Sequence, residues 1–130
     1  METTEAVSET KVVVSRVTAT PLKDVWAFIM RPEGVAVLLG EGGVLGNKGE
    51  DWRANDGTYG ITRSFHPLEQ IRFSWHAHEG APATLVDLQL HTDGEGTRLD
   101  LSHEHLPDDA DQAALEAKWG DVLDRIVAGA

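Results

Sequence analysis

Between Gly60 and Pro107, apolar and polar residues alternate in three successive stretches: Ile71, Phe73 and Trp75, then Val86, Leu88 and Leu90, then Leu99 and Leu101. A period of two marks strands covered on one face. Glu79-Gly80-Ala81-Pro82 and Asp93-Gly94-Glu95-Gly96 read as the turns between them. Asn55-Asp56-Gly57, whose residues tolerate positive φ, predicts a further hairpin joining strands at 51–54 and 58–65. Facing interior positions across these turns sets Trp75 opposite Val86 and Val86 opposite His103, with Phe73, Leu88 and Leu101 in the next row. One apolar row therefore ends in Trp75, Val86 and His103.

Upstream, the β-branched run Val12, Val13, Val14, Val17 and Thr18 predicts a first strand, buried on both sides over part of its length. Thr20-Pro21 opens a helix, with threonine as cap, proline in the first turn, and Val25, Trp26, Ile29 and Met30 on one face. Arg31-Pro32 breaks it, and residues 32–39 form a second, short helix that turns Val35, Leu38 and Leu39 inward. The glycine-rich stretch 40–49 reads as a flexible connection or distorted edge strand, able to gate a cavity. After Pro107, Leu115, Trp119, Val122 and Ile126 follow helical spacing, which predicts a helix over 108–127 with Asp108, Asp109 and Asp111 favoured at its N-terminus by the dipole. That stripe has to be buried across the sheet, so the fold class is α+β.

Composition narrows the partners. A chain of 130 residues fits one domain burying about 70% of the surface it exposes unfolded, so it needs no covalent staple. It contains no cysteine, which excludes thiol chemistry and fits a cytoplasmic protein. Acidic residues outnumber basic ones by 22 to 11, a field that repels phosphate backbones and anionic lipid, so neither nucleic acid nor membrane is an expected partner. Residues 1–11 are polar and acidic, unlike a signal peptide, and no apolar run reaches membrane-spanning length. Residues 1–10 are expected to be a disordered tail and 11–130 a single domain.

The order of motifs then resembles a known family. Arg16-Val17-Thr18-Ala19-Thr20-Pro21 with Val25-Trp26 and Arg31-Pro32-Glu33 is similar to the opening of the START-like (SRPBCC) superfamily. Gly60 with His66-Pro67-Leu68-Glu69-Gln70-Ile71-Arg72-Phe73-Ser74-Trp75 resembles its branch related to the activator of heat-shock protein 90 ATPase. Residues 96–103, Leu106-Pro107 and Trp119 complete a resemblance that runs from Val12 to Val127. It implies a helix-grip fold, in which a curved antiparallel sheet wraps a long C-terminal helix and two short helices follow the first strand. It also implies a cavity between sheet and helix, serving hydrophobic-ligand binders, polyketide cyclases or chaperone activators in different members. The chain departs from the pattern at Val37-Leu38-Leu39-Gly40, where a tryptophan commonly follows the second helix.

Six histidines invite a metal reading, because His76/His78 and His103/His105 have the His-x-His spacing of ligands on one strand face. Parity opposes it: His103 and His105 continue the interior series, whereas His76 and His78 alternate with Trp75. No metal and no other cofactor is expected. His103, interior and close to Trp75 and Trp119, needs a partner such as a backbone carbonyl or Ser64, or else a wet pocket. Trp26, Met30, Leu38, Tyr59, Phe73, Trp75, His103, Leu115 and Trp119 are the candidate lining of a ligand cavity, with residues 40–49 at its mouth. No nucleophile with a base, phosphate-cradling loop or inward pair of carboxylates stands out, so no catalytic residue is assigned. Glu69, Asp87 and Asp100 read as solvated, and Arg72, Gln89 and Asp100 as a polar ladder on the outer face. The leading expectation is a non-enzymatic domain that binds a small apolar or aromatic molecule. The alternatives are an interaction module with a protein partner or a second copy, and a cyclase-like enzyme using the same cavity.

Overall fold

The computed structural model describes residues 11–130; the expected tail at 1–10 lies outside the described residues. The elements run β1 (Val12–Thr18), α1 (Leu22–Met30), α2 (Pro32–Leu39), β2 (Asp51–Arg53), β3 (Tyr59–His66), β4 (Gln70–Trp75), β5 (Thr84–Asp93), β6 (Gly96–Glu104) and α3 (Gln112–Gly129). The six strands form one antiparallel sheet in the order β1-β6-β5-β4-β3-β2. Its curved inner face grips α3, the arrangement expected from the period-2 strands and the apolar stripe. Trp119, Val122, Leu123 and Ile126 of α3 are buried with Ile71, Phe73, Leu88, Leu99 and Leu101 of the sheet.

Several local expectations change. β1 is covered on one side alone: Val12 and Val14 are buried while Val13 and Val17 are 52% and 62% exposed, because β1 is an edge strand with α3 against its inner face only. Thr20 does not cap α1, since Pro21 occupies the cap position without a side-chain bond and the Thr20 hydroxyl lies beside that of Thr18. α3 begins four residues later than expected. Asp108 and Asp109 belong to the preceding turn, and Asp111 is the cap, accepting from the Ala114 N–H at 3.1 Å. Val35 of α2 is half-buried, whereas Leu38 and Leu39 are core residues.

The largest change is in register. Trp75 pairs with Thr84 and Phe73 with Val86, two residues from the expected pairing, although Val86 does face His103 and Leu88 faces Leu101. The cause is the position of the turn: the Ala81 N–H bonds to the His78 carbonyl, so the reversal spans 78–81, one residue earlier than the sequence suggested. In β3 the ladder slips between Thr62 and Ser64, a bulge at Arg63 that puts both Thr62, buried, and Phe65, partly exposed, on the inner face of the sheet. Gly60 lets Trp52 lie flat across β3. A Cβ there would stand 1.9 Å from the Ser74 carbonyl oxygen and 2.8 Å from the Trp52 Nε1 that bonds to it.

Candidate functional site

His103, the penultimate residue of β6, lies between the sheet and α3 and is fully buried. Trp119, from α3, donates its indole N–H to His103 Nδ1 at 3.0 Å. On the other side of the ring, Nε2 is 2.7 Å from Thr84 Oγ1, which in turn donates to the Trp75 carbonyl at 2.7 Å. The threonine proton is committed to that carbonyl, so the imidazole proton sits on Nε2 and donates to Thr84. The chain Trp119 to His103 to Thr84 to Trp75 is thereby complete, and Ser64, facing outward beside Arg72, has no part in it. Burial, reinforced by the nearby Lys118 charge, pushes the His103 pKa down to about 4. With both nitrogens bonded inside the protein, His103 has no lone pair or proton to offer a substrate.

Three of the aromatic rings expected to line a cavity pack directly on one another. Trp75, His103 and Trp119 meet edge to face, with centroids 4.9 Å, 5.7 Å and 6.1 Å apart. Phe73 is fully buried against Trp52, and Leu38 is part of the same core. Trp26 is remote from this group: it packs on Phe65, which pairs with Ile71, about 13 Å along β4 from Trp75 at the usual strand rise. Tyr59 lies on the outer face, stacked on His76 at 4.4 Å and covered by the Arg53 guanidinium, on the opposite side of the sheet from the partners proposed for it. Met30 borders clefts formed with Val35 and Leu45, and the 40–49 loop lies there, away from Trp75.

Two of the expected residues do meet around open space. Trp75 and Leu115 line a cleft of about 370 Å³ at the end of the sheet, between the 77–82 turn and the first turn of α3. Thr84 and Trp75 form its floor, Leu106, Pro107, Ala110, Ala114 and Leu115 one wall, and Ala77, Ala81 and Pro82 the other. The turn residues lie outside the expected lining, since alternation and helical spacing point to strand and helix positions and carry no signal for a turn. Lys118, one helical turn beyond Ala114, leaves much of its length in water yet holds Nζ 4.8 Å from the Trp119 centroid and 5.9 Å from that of Trp75. Partial desolvation there lowers its pKa, against the opposing attraction of Asp56.

The histidine pairs do not converge. His105 is exposed with φ of 62°, because β6 ends at Glu104 and the interior parity ends with it. His76 bonds to the Ala81 carbonyl and His78 to that of Glu79. Among the described residues no group of three histidine, aspartate or glutamate side chains is spaced to hold a metal ion. On the outer face, Asp87 is buried and not solvated: it accepts from Gln70 at 2.9 Å, Gln89 at 3.1 Å and Arg72 at 3.2 Å. Asp100 bonds to Ser15 and Arg98, and these bonds outweigh burial to hold its pKa low.

A curved antiparallel sheet gripping a C-terminal helix, with two helices after the first strand, defines the START-like helix-grip class. The chain belongs within it to the family of activator of Hsp90 ATPase homolog 1-like proteins, whose pattern its residues 19–129 match. No curated protein matches it in sequence. Among solved structures it is similar to DynU16, described as a putative protein in the dynemicin biosynthetic locus, with 24% identity and a TM-score of 0.75 over 91% of this chain. This chain spans 46% of that longer one. CalU16 from Micromonospora echinospora is 21% identical, with a TM-score of 0.75 over 91% of this chain and 76% of its own. The Aha1 dimer from Colwellia psychrerythraea is 16% identical, with a TM-score of 0.73 over 90% and 92% respectively. These likenesses establish the shared fold. No described helix is long and apolar enough to cross a membrane.

Proposed function

We propose that this chain is a binding domain for a small apolar or aromatic molecule, held unchanged in the cleft beside Trp75. The observation that carries the reading is the cleft itself: about 370 Å³, floored by an indole and walled by leucine, alanine and proline, within the size range of small-molecule sites. The commitment of both His103 nitrogens favours binding over acid–base chemistry at this point. The same proposal takes residues 11–130 as one START-like domain acting in the cytoplasm. Its test is titration with the neutral probe N-phenyl-1-naphthylamine. Saturable quenching of tryptophan emission is expected, with affinity at least tenfold weaker in Ala114→Phe, which fills the cleft from an exposed helix position. Absence of saturable binding, or equal affinity in that variant, overturns the reading.

A second reading, a protein partner or homodimer, draws on a different surface. Val44, 71% exposed, and Phe65, 37% exposed, line the clefts that share Met30, Val35 and Leu45, and Leu68, 43% exposed, follows Phe65 in the β3–β4 turn. Such a patch is a common mark of association, and the Colwellia relative is described as a dimer. Sedimentation of the wild type against Val44→Ser/Leu68→Ser tests it. A dimer lost in the variant supports this reading, and a monomer at all concentrations in both chains removes the homodimer.

A further inference from the structure

From the charges around the cleft we infer that its ligand is an amphipathic cation: an apolar or aromatic body on Trp75 carrying an amino group at the mouth. This rests on the proposal that the cleft binds a small molecule, and specifies which chemistry it selects. The interior of the cleft is apolar, so recognition of polarity falls to the titratable groups that line it: Asp109, Asp111 and His78. Asp111 spends one carboxylate oxygen on the Ala114 N–H, leaving the other. Asp109 has no hydrogen-bond or ion-pair partner among the described residues. His78 directs Nδ1 to the Glu79 carbonyl, which can only accept, so the neutral ring presents a lone pair at Nε2. The Thr84 hydroxyl is already occupied on both sides. The cleft therefore offers acceptors and negative charge at its mouth and lacks a fixed cation in its lining.

The groups just outside agree. Glu79 and Asp108 adjoin the lining residues in sequence and add negative charge. Lys118 is the cation near Trp75, but it does not line the cleft, and Asp56 opposes its charge from the β2–β3 turn. An anionic ligand would meet two carboxylates that pair with no side-chain cation among the described residues, whereas an amine would neutralise them while its body covered the indole.

Three probes of one shape isolate the charge: phenylpropylamine, phenylpropanol and phenylpropanoate, each titrated while the Trp75 indole N–H signal is followed by NMR. The amine is expected to bind at least threefold more tightly than the alcohol, and the alcohol at least threefold more tightly than the acid. In Asp109→Asn/Asp111→Asn, which keeps a side-chain oxygen for the helix cap, the three affinities should converge to within twofold. If the alcohol binds and the amine binds no better, the charge inference fails while the cleft proposal stands. If the ranking survives unchanged in the double variant, the preference comes from the acidic chain as a whole and this assignment is overturned. If none of the three moves the Trp75 signal, the cleft proposal itself falls.

Discussion

Trp119 donates its indole N–H to Nδ1 of His103, and this bond decides which nitrogen of a fully buried imidazole carries the proton. A proton added to Nδ1 would point at the indole N–H, so charging His103 breaks the chain that joins α3 to β5 and β6. Burial, reinforced by the nearby Lys118 charge, already holds its pKa down at about 4.

Stability should consequently rise with pH between about 4 and 6.5. In that window the unfolded chain binds a proton at His103 that the folded chain does not, so folding is favoured as pH increases and the contribution is lost on acidification. At about 1.4 kcal/mol per pH unit, the full contribution at neutral pH is about 3 kcal/mol. Urea midpoints for the wild type and His103→Gln, taken at several pH values across the window, measure it. Parallel curves for the two proteins would show that His103 titrates normally.

Trp119→Phe keeps most of the ring volume and removes the donor. His103 then loses its fixed tautomer, and the expected cost is about 1–3 kcal/mol for the polar group left without a partner. Trp119→Ala should cost about 3–5 kcal/mol, since it also empties the centre of the core. Thermal midpoints within a degree of wild type for either variant would contradict the packing described above.

Gly60→Ala should destabilise far more than Gly57→Ala. At Gly60 the new Cβ meets the Ser74 carbonyl and the Trp52 indole, so the β3–β4 ladder must open. At Gly57, where φ is 98°, nothing lies within 4 Å and the cost is backbone strain, about 1 kcal/mol. Denaturation midpoints together with the near-ultraviolet dichroism of Trp52 separate the two; similar losses would show that the close approach at Gly60 is absent.

Asp87→Ala strands the amides of Gln70 and Gln89 and the Arg72 guanidinium on a patch of sheet where the carboxylate was itself buried. A loss of about 1–3 kcal/mol is expected. Asp100→Ala, at a more open position, should lose less, as exposed ion pairs contribute little. Equal effects on chemical denaturation would mean that Asp87 is hydrated like its neighbour.

The sequence alone determined the elements and which face of most of them is buried. Period-2 alternation in β4 to β6 and helical spacing around Trp119 are local consequences of backbone geometry, and both held in the structure. The helix-grip class was legible by another route, the resemblance of the ordered motifs to a known family. Residues brought together by long-range packing were beyond that signal. A turn displaced by one residue moved Trp75 from Val86 to Thr84, and Thr84 is what holds the second nitrogen of His103. Parity showed that Trp75, His103 and Trp119 face one another but not how much space separates them. Side-chain packing set Trp75 edge to face with His103, and its remaining surface lines the cleft where a turn that alternation could not position meets the start of α3. Periodicity records direction, whereas a site depends on distance, and distance is fixed only when the side chains of separate elements pack.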